Sequence, residues 1–158
     1  MDVQDEEILN FWRVLQKYQV KYIMVGGFAT NLHGFSRMTA DLDIWIQGNA
    51  SNKKAFFHAL LELELVDEHF NDNEMQFVPG YTSFYFSSGF TLDVMEFMQG
   101  FEASEFDFCY EKASELTIEG ISIRVLHLNH LIAAKEASNR PKDIIDVIEL
   151  KKIRDSHD

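Results

Sequence analysis

Asp41 and Asp43 are separated by one residue within Asp41-Leu42-Asp43-Ile44-Trp45-Ile46, a run of β-type apolar residues. Side chains two apart on a strand share a face, so both carboxylates are expected to point one way while Leu42, Ile44 and Ile46 face the core. The strand rise sets the two acids roughly 6–7 Å apart, and keeping both ionised there costs repulsion unless a cation lies between them. A hard divalent cation such as Mg2+ is the natural partner for such oxygens. Upstream, Gly26-Gly27 follows the apolar strand Tyr22-Ile23-Met24-Val25 and precedes a short helical pattern containing Phe28, Ala29, Leu32 and His33. Glycines let backbone approach a ligand, and a helix N-terminus offers free N–H groups and partial positive charge. The glycine turn is therefore expected to hold a phosphate that the metal also touches. Neither a P-loop nor a dinucleotide fingerprint is present.

Between these two parts, Arg37, Thr39, Asp41 and Asp43 fall at successive intervals of two, so in extended chain all four share a face. Two readings of Arg37 stay open: a bidentate contact to nucleotide phosphate, or a salt bridge to a nearby acid that holds the loop. Other chemistries find less support. The six histidines form no zinc spacing. The single cysteine, Cys109, lies in an aromatic, acidic stretch that raises a thiol's pKa, which argues against a nucleophile and leaves no internal disulfide. A metal-dependent nuclease would not need a glycine turn before the paired acids.

Val25-Gly26-Gly27, then thirteen residues, then Asp41-Leu42-Asp43-Ile44, with a later Leu92-Asp93-Val94, resembles the polymerase-beta-type nucleotidyltransferase superfamily. The match is closest to small bacterial members related to aminoglycoside and lincosamide nucleotidyltransferases and to nucleotidyltransferase toxins of the AbiEii type. It is carried by Gly26-Gly27-Phe28-Ala29, His33-Gly34 and Arg37-Met38-Thr39-Ala40-Asp41-Leu42-Asp43, and it touches Lys135 and Arg140-Pro141-Lys142-Asp143.

The resemblance implies transfer of a nucleoside monophosphate, usually AMP, from a triphosphate to an acceptor hydroxyl. It implies two Mg2+ or Mn2+ ions on Asp41, Asp43 and Asp93, with Gly26, Gly27, Arg37, Thr39 and Lys135 on the nucleotide. Asp93 is preferred to Glu96, since residues three apart on a strand lie on opposite faces and Asp93 has the apolar flanks Leu92 and Val94. Lys135 follows Leu128, Leu131 and Ile132 at helical spacing, at the margin of a buried face, which suits a phosphate ligand or an ordinary surface lysine. Asp143 either orients a basic residue at the site or only caps its helix. The alternative function is an inactive nucleotide-binding or protein-interaction module of the same fold, such as a toxin–antitoxin component. The chain is expected to be short beside the antibiotic-modifying members, which leaves the acceptor open among a small molecule, a protein side chain and an RNA end.

The elements that must position these residues follow from periodicity. Residues 4 to 18 read as an amphipathic helix with Ile8, Phe11, Trp12 and Leu15 on one stripe and Asp5, Glu6 and Glu7 in its first turn. After strands at about 21 to 25 and 41 to 46, Ser51 is the expected N-cap of a helix over 53–65. Residues 75 to 78 read as a short strand, and 81–86 with 90–98 as a hairpin across Ser87-Ser88-Gly89. A helix over 104–113 with an aromatic side comes next, then a hairpin over 115–126 turning at Glu119-Gly120. The tail reads as two helices, about 128–138 and 141–154, with Pro141 at a first position. The whole predicts an α+β fold: a minimal nucleotidyltransferase domain over 1–158, its core at about 20–126 as a mixed sheet flanked by helices, with a C-terminal helical pair at about 128–156.

The formal charge of −12, from 14 basic and 26 acidic residues, argues against broad nucleic-acid binding. No run of eighteen apolar residues occurs, and the acidic start MDVQDEEILN is unlike a signal peptide, so a soluble cytoplasmic protein is expected. Phe at 14 positions and an aromatic content of 13% lead to an expected homodimer, because one small core covers fewer rings.

Overall fold

The computed structural model describes residues 5–67, 69 and 81–157. In chain order the elements are α1 (Glu6–Lys17), β1 (Tyr22–Val25), α2 (Gly26–Leu32), β2 (Asp41–Ile46), α3 (Ala50–Glu62), β3 (Thr82–Tyr85) and β4 (Thr91–Met95). A 3-10 turn (Ala103–Glu105) leads into α4 (Phe106–Lys112), followed by β5 (Ser114–Ile118), β6 (Ile121–Val125), α5 (Leu128–Ser138) and α6 (Pro141–Ser156). Among the described residues the strands form one mixed sheet in the order β3-β4-β2-β1-β6-β5. Parallel pairs β2–β4 and β1–β6 alternate with antiparallel β1–β2, β3–β4 and β5–β6. The expected α+β architecture, a mixed sheet flanked by helices with a C-terminal helical pair, is the one observed.

Strand alternation divides the sheet chemically. Leu42, Ile44, Leu92, Val94 and Phe84 are buried on one face, where Phe84 meets Phe56 of α3 at 6.4 Å between ring centroids. Phe11 of α1 reaches Phe86 in the same way at 5.6 Å. The other face begins with Asp41 and Asp43 and then closes on Trp45, which is fully buried, packs edge-on against Phe106 and donates its indole N–H to the Glu96 carbonyl at 2.9 Å. The open part of this face, at the C-terminal end of β1 and the paired starts of β2 and β4, is where polar chemistry has room. Of the aromatic side expected around residues 101–110, Phe106 is core and with Phe101 packs against Trp45, whereas Phe108 is exposed.

Local signals account for most element ends. Asp5 caps α1 by accepting from the Glu7 N–H at 3.0 Å. Glu119 and Gly120 both take positive φ, 52° and 77°, in the two-residue turn joining β5 to β6, the conformation such hairpins demand. Pro141 opens α6, where its missing N–H is no loss.

Three expectations need correction. α3 begins at Ala50, not Lys53, and its N-cap is Asn49, whose side chain accepts from the Asn52 N–H at 2.7 Å; Ser51 lies inside the first turn. Asn52 itself draws the helix start inward, bonding both the Lys21 N–H and the Lys21 carbonyl. α3 ends earlier too, because Glu64 is left-handed (φ 58°) and Leu65 N–H returns to the Leu60 carbonyl at 3.0 Å, a Schellman closure. Finally, the glycines form no separate turn before α2, since Gly26 and Gly27 are its first two residues. The strand expected at 75–78 lies outside the described residues. No helix among those described is long and apolar enough to cross a membrane.

Candidate active site

Parallel pairing places Asp43 directly opposite Asp93 and Asp41 opposite Thr91, so the three acids read from sequence share one face across two neighbouring strands. Asp93 is buried, Asp43 half-buried and Asp41 exposed. Ser83, on β3 beside Asp93, donates its hydroxyl to Asp93 Oδ1 at 2.6 Å. Glu96 turns elsewhere, to Lys53 at 2.8 Å.

Burial, and then the charges of Asp93 and Asp41, push Asp43 up to about 7. Asp93 is raised as well, chiefly by burial, while the Ser83 hydrogen bond holds it down. A carboxyl whose pKa is higher in the folded than in the unfolded chain adds stability below its unfolded value of about 3.9 and loses it as pH rises through its folded value. The metal-free protein is expected to lose stability between about pH 4 and pH 7 through this group. Asp43→Asn should remove that slope and raise the thermal midpoint at about pH 8 by several degrees; thermal scans of both proteins across this range, if parallel, would exclude it.

The glycines serve the side chains as much as any ligand. Gly26 has φ 73°, and a Cβ there would overlap Asp43 Oδ2. A Cβ on Gly27 would stand 2.9 Å from Arg37 Nη2 and 3.0 Å from Thr39 Oγ1. The pair therefore makes space for the Asp43 carboxylate and the Arg37 guanidinium at the mouth of β1. Thr39 turns its hydroxyl to the Asp41 carbonyl at 3.3 Å.

Arg37 is held by two groups that its local sequence does not single out. Asn31 of α2 brackets its backbone, donating to the Arg37 carbonyl at 2.8 Å and accepting from its N–H at 3.0 Å. Asp146 of α6 takes the guanidinium: Nη2 donates to Oδ2 at 2.9 Å, and Nε lies 2.9 Å from Oδ1 as an ion pair without an aligned hydrogen bond. The loop-holding salt bridge left open by the sequence is thus present. Lys135 is not at a surface margin: only 6% exposed, it donates to Asp146 Oδ2 at 2.8 Å and lies 3.6 Å from Asp143 Oδ1. Asp143 performs both roles considered for it. It accepts from the Arg140 N–H at 3.1 Å as a cap, and it pairs with the Arg140 side chain at 2.8 Å and with Lys135. Arg140 and its hydrogen bonds hold the Asp143 carboxyl well down, at about 2, against the opposing effect of burial.

Most of these groups line one cavity of about 430 Å³. Asp41, Asp43 and Asp93 form one side, and Arg37, Lys135, Arg140 and Lys142 stand around them, while Met95, Phe97, Met98 and Leu131 supply an apolar wall. All the site residues read from sequence, Gly26, Gly27, Arg37, Thr39, Asp41, Asp43, Asp93 and Lys135, lie on this lining. Arg140 and Lys142 join them, and Asn31, Ser83 and Asp146 stand behind as supports. Among the described residues no set of three or more acid, histidine or cysteine side chains forms a ready-made metal shell. The donor set nevertheless suits a Mg2+-like ion: carboxylate oxygens gathered with mutual repulsion, able to supply one or two ligands while water and phosphate complete the shell. Elsewhere Cys109 is buried and its thiol is pushed up to about 11 by burial and Glu105, in line with an inert residue.

An acid triad across β2 and β4, glycines opening the helix after β1 and cations from the last two helices thus meet at one cavity of this α+β fold. The chain belongs to the family described as "nucleotidyltransferase of unknown function" (DUF6036), which matches residues 4–157. Among solved structures it resembles the lincosamide antibiotic adenylyltransferase LnuA in its lincomycin-bound form, with a TM-score of 0.62 and 16% identity over 97% of this chain and 99% of that one. The shortness expected relative to antibiotic-modifying members does not hold against this neighbour. An antigenic nucleotidyltransferase-like protein from Paracoccidioides brasiliensis is also similar, at TM-score 0.53 and 17% identity over 91% of this chain and 72% of that one. No curated protein matches the sequence.

Proposed function

We propose that the chain transfers AMP from ATP to an acceptor hydroxyl, releasing pyrophosphate, with Mg2+ or Mn2+ bound at Asp41, Asp43 and Asp93. The observation that carries this reading is the in-register opposition of Asp43 and Asp93, with Asp41 on the same face, inside a cavity that Arg37, Lys135, Arg140 and Lys142 also line. The nucleotide is assigned as ATP because LnuA, which shares the fold, is an adenylyltransferase. When bound, the divalent ions would neutralise phosphate oxygens and stabilise the attacking and leaving oxygens of an in-line displacement.

The chain's own residues do the rest. Arg37 and Lys135 take up charge on the triphosphate, and Gly26 and Gly27 keep that corner open. The acceptor oxygen forms a bond to the α-phosphorus as the bond from that phosphorus to the pyrophosphate oxygen breaks, and pyrophosphate carries away the electron pair. The acceptor proton passes to Asp93, the carboxylate opposite Asp43 on the neighbouring strand. The test incubates the protein with each α-labelled triphosphate, Mg2+ or Mn2+, and acceptors from a lysate. Transfer of label from ATP is expected. Labelling of nothing, the protein itself included, would favour the inactive binding module instead.

Binding has its own signature. ATP with Mg2+ should raise the thermal midpoint, because a ligand held only by the native state stabilises it. Asp41→Ala combined with Asp43→Ala should abolish that rise, even though relief of repulsion lifts the midpoint of the ligand-free protein. An unchanged increment in the double variant would place the site elsewhere.

A further inference from the structure

Asp146 is 1% exposed, lies outside the cavity lining, and carries no part of the chemistry proposed above. Its two oxygens nevertheless join three elements, α6 itself, the loop after α2 and α5. Arg37, from the loop after α2, approaches both oxygens at 2.9 Å, and Lys135, from α5, donates to Oδ2 at 2.8 Å. We infer that Asp146 is a positioning residue for the triphosphate, fixing Arg37 and Lys135 side by side so that their remaining N–H donors face the phosphates before nucleotide arrives. This rests on the nucleotidyl-transfer reading.

Charge and geometry both favour this role over simple cohesion. Arg37, Lys135 and Arg140 against Asp143 and Asp146 leave a net positive charge, and the three cations line the cavity while Asp146 stays behind them. Two cations at short range would repel without it, and each would carry its own rotamer freedom into binding. Gly27 adds an independent sign, since a Cβ at that position would meet Arg37 Nη2 at 2.9 Å. The cradle is shaped to the guanidinium in its Asp146-bound pose. Lys135 keeps further donors after its bond to Asp146, and among the described residues Arg37 Nη1 makes only a long 3.4 Å contact to the Met38 carbonyl.

The test titrates ATP at fixed Mg2+ against wild type and Asp146→Asn, which keeps the shape and removes the charge. Affinity should fall about 10-fold or more, the scale of outer-shell partners. The loss should appear in KM, with kcat at saturating ATP nearly preserved. In a background of Arg37→Gln with Lys135→Gln, adding Asp146→Asn should change affinity by less than about 2-fold, because the residue acts through those two alone. Should Asp146→Asn fail to fold, Arg37→Lys substitutes for it: the charge stays, the two-oxygen grip is lost, and weaker ATP binding is again expected. Wild-type binding matched by the folded variants, an undiminished loss in the double background, or a fall in kcat at constant KM would each overturn the inference while leaving nucleotidyl transfer standing. Absence of ATP binding in wild type would overturn both.

Discussion

Asp93→Asn is expected to leave nucleotide binding largely intact and to lower AMP transfer by a factor on the order of 10² or more, the scale seen when one charge-stabilising group leaves an active site. Asparagine keeps the volume and can still accept from the Ser83 hydroxyl, now 2.6 Å from Asp93 Oδ1. It cannot take the acceptor's proton or supply the negative charge that matters when the attacking oxygen develops. Asp41 and Asp43, on the neighbouring strand, remain to hold the ion bound to the triphosphate. Glu96→Gln is the matching control: its side chain pairs with Lys53 and packs where a Gly48 Cβ would be, so transfer should be unaffected beyond any loss of stability. Equal labelling by wild type and Asp93→Asn would remove Asp93 from the chemistry.

Gly26→Ala should be nearly as damaging, although the residue carries no functional group. At φ 73° an alanine costs roughly 1–2 kcal/mol in backbone conformation alone. The new Cβ would also displace the Asp43 carboxylate, which cannot retreat towards Asp93 without added repulsion. A displacement of about 1 Å at reacting groups is enough for a loss of about 10², so transfer should fall by that order in protein that still folds. Gly27→Ala should be milder, since its contacts are the far end of Arg37 and the Thr39 hydroxyl. Thermal scans and label transfer on both variants test the ranking. A Gly26→Ala protein with full transfer would show that the Asp43 position is not critical.

Legibility in the sequence followed the range of the interactions. Alternation made the shared face of Asp41 and Asp43 visible, and apolar flanks with the turn at Ser87-Ser88-Gly89 set the face of Asp93, so the acid triad could be assembled from local pattern and family resemblance. Pro141 and the Glu119-Gly120 turn were equally plain, because single residues dictate their backbone. Asp146 was not. Three residues after Asp143 on a charged helix, it looks like any solvated acid, and only the packing of α6 on α5 and on the Arg37 loop makes it the anchor of two cations. Lys135 was found but misplaced, since a lysine at the edge of an apolar stripe normally extends to water and here turns inward to buried carboxylates. The start of α3 moved because Asn52 bonds backbone some thirty positions away, at Lys21, a pull that no local capping preference contains. Gly26 and Gly27 were recognised as making room, but the groups that fill it come from β2 and the loop before it.

The parallel pairing of β2 with β4 has a consequence for the order in which the cavity's charged groups come together. Antiparallel neighbours can be joined by a two-residue turn, whereas parallel neighbours require a long crossover, and Asp43 meets Asp93 across fifty positions of chain. Arg37 meets Asp146 across 109. A chain emerging from the ribosome at about 5–20 residues per second therefore displays its paired acids for seconds before the third arrives, and longer before the cationic wall does. Until α6 docks, every acid of the triad can be present and the phosphate-facing clasp still absent. On the proposed reading, the docking of α6 is therefore what completes the site.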